Sequence, residues 1–204
     1  MKISALGIII LSIHSFVSAD PISSLESFVD LNQSATVRFV QTVYDSKGDQ
    51  IEVTNGVLDF KKPGKFKWHY QEPFEQLIIC NGRTLWVYDR DLEQVIIRSA
   101  KDLFESSPAA LLAGSDQIDS YYLMDSLNST DDGAEWLILT PLEDDGMFES
   151  IKIGFSGGEM LEMELVDYLQ QKTVIVFSKF NNQIIFESSA FEFAVPKNVE
   201  VLAE

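Results

Sequence analysis

Lys61-Lys62-Pro63-Gly64-Lys65-Phe66-Lys67-Trp68-His69-Tyr70 is the stretch that decides the fold. Pro63 presets φ and Gly64 accepts the conformation that follows, so the pair reads as a turn. Beyond it the alternation is strict. Phe66, Trp68 and Tyr70 fall on one side of a strand, and Lys65, Lys67 and His69 on the other. Three large rings opposite a polar row describe a sheet with one apolar face and one wet face. The stretch leaves open whether that apolar face is closed core or receives a ligand.

Upstream, Thr36 to Tyr44 reads as a strand with Val37, Phe39 and Val43 on one face. Ser46-Lys47-Gly48-Asp49 turns the chain and Ile51 to Phe60 returns it. Downstream, Leu77 to Cys80 and Arg83 to Tyr88 flank Asn81-Gly82, a strong hairpin signal, and Glu93 to Arg98 extends the meander. Ser107 to Gly114 then reads as a short helix with Ser107 as cap, Pro108 first and Gly114 ending it. Strands are predicted again at about Ser120 to Met124, Glu135 to Thr140, Phe148 to Phe155, Met160 to Val166 and Thr173 to Phe180. A last short one, Ala190 to Pro196, is stopped by its proline. Before all of these, Asp20-Pro21 caps a helix whose apolar face is Ile22, Leu25, Phe28 and Val29. Acidic loops at Asp131-Asp132 and Glu143-Asp144-Asp145 separate the later strands, and no repeat or linker divides the chain. The reading is mainly β: a curved antiparallel sheet with helices laid on one side.

The first nineteen residues carry a separate message. Lys2, the apolar run Ala5 to Ile13 and the small residues Val17-Ser18-Ala19 have the layout of a secretory signal peptide, with cleavage expected after Ala19. Residues 20–204 then form one expected domain, large enough for a real core. Bacterial lipoproteins carry an acylated cysteine directly after the cleavage point. Here that position is Asp20, so no lipid anchor is expected. The single cysteine, Cys80, lies in the apolar run Leu77-Ile78-Ile79-Cys80, where a buried hydrophobe is the expected role. The net charge is −17, and loss of Lys2 with the leader makes it −18. Such a surface repels phosphate backbones and anionic headgroups, which argues against nucleic-acid binding.

Catalytic chemistry finds little material. Gly154-Phe155-Ser156-Gly157-Gly158 matches the G-x-S-x-G pattern, but a strand-like alternation follows and no histidine lies beyond His69, so a hairpin turn is the better reading. Asp89-Arg90-Asp91-Leu92-Glu93 lacks the glycine and distant glutamate of a calcium loop. One histidine and one cysteine in the mature chain give transition metals and histidine-based general bases little to work with. No pair among the 32 acidic residues stands out for a carboxylate mechanism. No cofactor, metal site or catalytic residue is expected. What remains is the aromatic set Phe39, Phe60, Phe66, Trp68, Tyr70, Trp86 and Tyr88. A stripe of this kind is more often core than cavity, and the residues alone leave both readings open.

At these residues the sequence resembles the periplasmic outer-membrane lipoprotein carrier family (LolA). The matching pieces are Phe39-Val40-Gln41, Gly56-Val57-Leu58, Lys62 to Trp68, Asn81-Gly82, Leu85 to Asp89, Leu92 to Val95, the helix from Pro108 to Leu112, Phe191 to Pro196 and Val199-Glu200-Val201. The resemblance implies an incomplete, open β-barrel with short helices as a lid over an apolar cavity. It implies a soluble, monomeric periplasmic chaperone whose cargo is lipoproteins, held by their acyl chains. Its implied partners are an inner-membrane ATP-driven lipoprotein-releasing complex and an outer-membrane receptor of similar fold. The other reading is a related exported lipid-binding or lipoprotein-sensing module with a different hydrophobic ligand. On the carrier reading the cavity wall is expected from Phe39, Leu58, Phe60, Phe66, Trp68, Tyr70, Trp86, Leu111 and Leu112. The family commonly has arginine where this chain has Lys62, the expected lid latch; lysine keeps the charge without the planar fork of donors. Burial of an acyl chain gains about 0.8 kcal/mol per methylene, on the order of 10 kcal/mol for one chain of some sixteen carbons. Full burial of three such chains would exceed what any carrier could release, so a lid that competes with the cargo is expected.

Overall fold

The computed structural model describes residues 20–100, 108–113, 118–127, 134–143 and 146–203. The leader, Ser107, Gly114 and Asp131-Asp132 lie outside them, so the cleavage site and the caps assigned to the short helix do too. Helix α1 is Pro21–Leu31. Twelve strands follow: β1 Ser34–Tyr44, β2 Gln50–Lys61, β3 Lys65–Glu72, β4 Gln76–Asn81, β5 Thr84–Asp89, β6 Gln94–Ser99, β7 Tyr122–Leu127, β8 Glu135–Pro141, β9 Phe148–Ser156, β10 Glu159–Asp167, β11 Lys172–Asn181 and β12 Glu200–Ala203. Helix α2, Pro108–Ala113, and a 3-10 turn, Ile118–Ser120, lie between β6 and β7.

All twelve strands form one sheet in the order β12-β6-β5-β4-β3-β2-β1-β11-β10-β9-β8-β7. Two antiparallel meanders, β1 to β6 and β7 to β11, are joined where β1 pairs with β11. The order ends at β7 on one side and β12 on the other, so the sheet curls without closing. The mainly β, open-barrel reading therefore holds.

Side-chain parity divides the sheet into two faces. The inner face carries Ala35, Val37 and Phe39 of β1, Leu58 and Phe60 of β2, and Phe66 and Trp68 of β3. It continues in the second meander through Leu137, Leu139, Ile151, Ile153, Phe155, Met163 and Leu165, all buried in one cluster. α1 lies over β7 and β8, and α2 over β2 and β3. Asp20 caps α1 by accepting from the Ile22 N–H at 3.4 Å, and Leu25, Phe28 and Val29 form its buried face. Phe28 meets Phe155 and Phe180 with ring centroids 6.1 and 5.5 Å apart.

The last segment differs from the expectation. Ala190 to Pro196 is not a strand: it lies over the outer face of β5 as turns and irregular chain, and the final strand is β12, parallel to β6. Apolar cover explains the difference. Phe191 is buried against Phe186, and Phe193 packs on Trp86 and Tyr88 at 6.3 and 5.7 Å. Those rings make a small second core with Ile79 and Val95. The G-x-S-x-G stretch is the β9–β10 hairpin, as read. Its first glycine has a packing role, because a Cβ on Gly154 would sit 3.0 Å from the Trp136 ring.

Candidate functional site

The β2–β3 turn is the hub of the site. Gly64 donates its backbone N–H to the Ala113 carbonyl at 2.6 Å, which ties the turn to the end of α2. Lys62 next to it serves the other helix: its Nζ donates to the Val29 carbonyl at 2.5 Å. α1 ends at Leu31, so the carbonyls of its last turn lack helical partners and carry the negative end of the dipole. Asn32 takes the Phe28 carbonyl through both its backbone N–H and its Nδ2, at 3.1 and 2.8 Å, and the lysine cation takes the next carbonyl along. The Lys62 N–H also donates to the Gln33 carbonyl at 2.8 Å. The residue expected as a latch thus grips α1, and main chain makes the bond to α2.

The expected wall residues fall on two faces. Phe39, Leu58, Phe60, Phe66, Trp68 and Tyr70 share the inner face, with Leu111 and Leu112 of α2 pressed against them. Trp86 does not belong there. β3 pairs Lys67 with Ile79, and β4 pairs Ile79 with Trp86, so Trp86 shares the outer face with Lys67 and lies under Phe193. An aromatic in a neighbouring strand is placed by register, which its own alternation does not reveal.

Phe39, Trp68 and Tyr70 form a contiguous aromatic group. Ring centroids lie 4.8 Å apart for Phe39–Trp68, 5.3 Å for Phe39–Tyr70 and 6.1 Å for Trp68–Tyr70. Gly56 makes room for it: a Cβ there would stand 2.0 Å from the His69 carbonyl oxygen and 2.9 Å from Phe39 Cζ. The wall is covered in this arrangement. Phe60 and Phe66 are 0% exposed, Trp68 3%, and Leu111 and Leu112 2% each. Among the described residues the apolar face is packed against Leu111 and Leu112, which are buried in the same cluster.

Where the aromatic group ends, a groove of about 470 Å³ begins, lined by Gln41, Glu52, Thr54, Tyr70, Phe74, Gln76, Asp89, Asp91 and Leu92. The Tyr70 hydroxyl donates to Gln41 Oε1 at 3.1 Å. Burial pushes that phenol well above its ordinary value, so it stays a neutral donor. The sequence reading missed this groove, although Glu52 and Thr54 share the parity of Leu58 and Phe60 and so announce it. A second groove of about 270 Å³ runs along α1 between Leu25, Val29, Ile118 and Met124.

Groups with reactive potential are otherwise engaged. His69 Nε2 lies 3.3 Å from Glu75 on the outer face. Arg90 binds the same carboxylate, and the two hold Glu75 below the usual carboxylate range, Arg90 chiefly. Cys80 is buried, and burial raises its thiol pKa. Among the described residues no cluster of His, Cys, Asp and Glu could hold a metal ion, and no helix is long and apolar enough to cross a membrane.

This geometry has relatives. The family model for the outer membrane lipoprotein carrier protein LolA matches residues 31–194. An outer-membrane lipoprotein carrier protein of Cupriavidus pinatubonensis is 40% identical over 88% of this chain and 86% of its own length. The one from Nitrosospira multiformis is 35% identical over the full length of both. Among solved structures, an uncharacterized conserved protein from Thermus thermophilus superposes with a TM-score of 0.57 at 12% identity, covering 90% of this chain and 99% of that one. A LolA superfamily protein from Nitrosomonas europaea gives 0.50 at 16% identity, covering 86% and 98%. At these identities the structures speak for the fold alone.

Proposed function

The chain belongs to the outer membrane lipoprotein carrier protein LolA family, and from that premise we propose that it is a soluble periplasmic chaperone, not an enzyme. It takes up lipoproteins by their acyl chains on the inner face of the sheet. Residues 20–204 act as one carrier unit after removal of the leader. Cargo arrives from an ATP-driven releasing complex of the inner membrane and leaves to a receptor at the outer membrane.

One observation carries the reading: the apolar wall of Phe39, Leu58, Phe60, Phe66, Trp68 and Tyr70 shares one buried cluster with Leu111 and Leu112 of a six-residue helix, which the Gly64–Ala113 backbone bond ties to the β2–β3 turn. Leu111 and Leu112 occupy the place an acyl chain would take, so cargo and lid compete for one surface. Burial of a leucine is worth about 1.5–3 kcal/mol, against roughly 10 kcal/mol for a sixteen-carbon chain. Cargo therefore displaces the lid, and the lid's return aids release. The net charge of −18 left after loss of Lys2 with the leader keeps an empty carrier off anionic headgroups.

Two experiments test the reading. Lipoproteins should co-elute with the unmodified mature protein and drop at least tenfold with Phe66→Glu, which sets a carboxylate in the wall. Retention of the sheet is checked by circular dichroism, and displacement of α2 by hydrogen exchange. Undiminished co-elution would end the acyl-wall reading. Depletion in the native host should leave outer-membrane lipoproteins at the inner membrane, and an unchanged distribution would end the carrier reading.

A further inference from the structure

We infer that the groove beyond Tyr70 is a second recognition site, which takes the first residues of the cargo polypeptide after its acylated cysteine and favours neutral or basic ones over acidic ones. The inference rests on the carrier reading and deepens it.

Four observations meet at this place. First, the groove adjoins the acyl wall through a shared residue: Tyr70 lines it and also packs against Phe39 and Trp68. A cargo whose fatty tails lie on those rings has its peptide at this end. Second, among the described residues the lining contains three carboxylates, Glu52, Asp89 and Asp91, and no Lys, Arg or His. The nearest cation in sequence, Arg90, is engaged by Glu75, and one Asp89 oxygen accepts from the Leu92 N–H at 3.0 Å.

Third, Thr54 lines the groove, is 6% exposed, and its hydroxyl has no partner among the described residues. A buried hydroxyl without a partner is costly, and a small turn of the Thr54 side chain would let a peptide carbonyl or N–H in the groove supply one. The Gln41 amide, its oxygen taken by Tyr70, offers donors beside it. Fourth, Phe74 and Leu92 flank the groove at 68% and 69% exposure, apolar surface of the kind that covers the stems of long side chains. Carboxylates for N–H or ammonium groups, amide donors for carbonyls and apolar flanks match an extended peptide. They do not match a phosphate or a fatty acid headgroup, which the three carboxylates repel.

The test uses two dansyl-labelled lipopeptides with the same S-diacylglyceryl cysteine, one followed by four lysines and the other by four aspartates. The mature protein should bind the lysine form about tenfold more tightly at low salt, with the ratio falling toward about twofold at 0.5 M NaCl as screening sets in. Overall acidity alone predicts some preference, so two double variants separate the effects. Glu52→Gln with Asp89→Asn should bring the ratio near one. Glu159→Gln with Glu187→Gln, two exposed positions outside the groove lining, should keep it.

Binding of both lipopeptides with equal affinity, or a ratio that both double variants lower equally, overturns the groove and leaves the acyl wall standing. Binding of neither overturns the carrier reading itself. If the groove variant does not fold, Thr54→Val is the second measurement. Affinity for the lysine form should fall about threefold, and no change overturns the proposal.

Discussion

Glu162 stands on the outer face of β10, two positions from Glu164. Burial raises its pKa, with repulsion from Glu164 behind it and Lys172 opposing. A carboxylate whose folded pKa lies above its unfolded one binds protons more readily in the fold, so its contribution turns unfavourable as pH rises through that window. Glu162→Gln is accordingly expected to raise Tm by about 1–2 °C at pH 7, the modest size fitting a group still open to solvent. The gain should vanish below about pH 3.5, where both states are protonated. Thermal melts at the two pH values check both. Trp86 gives the complementary prediction. It packs under Phe193 on the outer face, so Trp86→Ala should cost roughly 1–3 kcal/mol in urea unfolding and leave lipoprotein co-elution intact. Loss of co-elution without destabilisation would return Trp86 to the wall. Single-strand parity was legible for Phe66, Trp68 and Tyr70 because their polar neighbours alternate without a break. It was not legible for Trp86, since Leu85-Trp86-Val87-Tyr88 is apolar on both faces.

At the scale of elements, Lys62 and the end of α1 form a unit. The cation neutralises a helix carboxyl terminus, an interaction worth about 1 kcal/mol when partly buried. Lys62→Leu should therefore speed amide exchange in the last turn of α1 by roughly fivefold, with a matching change in cargo transfer to acceptor membranes. Identical exchange and transfer would remove Lys62 from lid control. Capping and turn chemistry made most elements readable: Asp20-Pro21 opens α1, and Asn81-Gly82 introduces the β4–β5 turn, where Asn81 Oδ1 accepts from the N–H groups of Arg83 and Thr84. The stretch from Ala190 to Pro196 misled because alternating phenylalanines serve a strand and a strap over an apolar face equally well. Cover of Trp86, Tyr88 and Ile79 settled which it is.

For the whole molecule, competition between lid and cargo has a thermodynamic signature. Full burial would strengthen binding about fourfold for each added methylene. A carrier that must also expel Leu111 and Leu112 should show a smaller gain for short acyl chains, steepening once the chain is long enough to clear the lid. A series from eight to eighteen carbons, titrated against the mature protein, reads this directly, and a uniform fourfold step throughout would show that nothing has to move. The mainly β architecture, the helix positions and seven of the wall residues' strand assignments could be read from periodicity. Closure could not, because the pairing of Gly64 with Ala113 joins main-chain atoms far apart in sequence and leaves no trace in side-chain pattern.

That pairing also makes the clasp a matter of backbone shape rather than of side-chain chemistry. Donor and acceptor are both peptide groups, but Gly64 holds a φ of 66°, which glycine alone adopts without strain, and Ala113 is fully buried. Replacement of the neighbouring lysine can therefore retune the ease of opening, while the fastening itself calls for glycine at position 64 and a small residue at position 113.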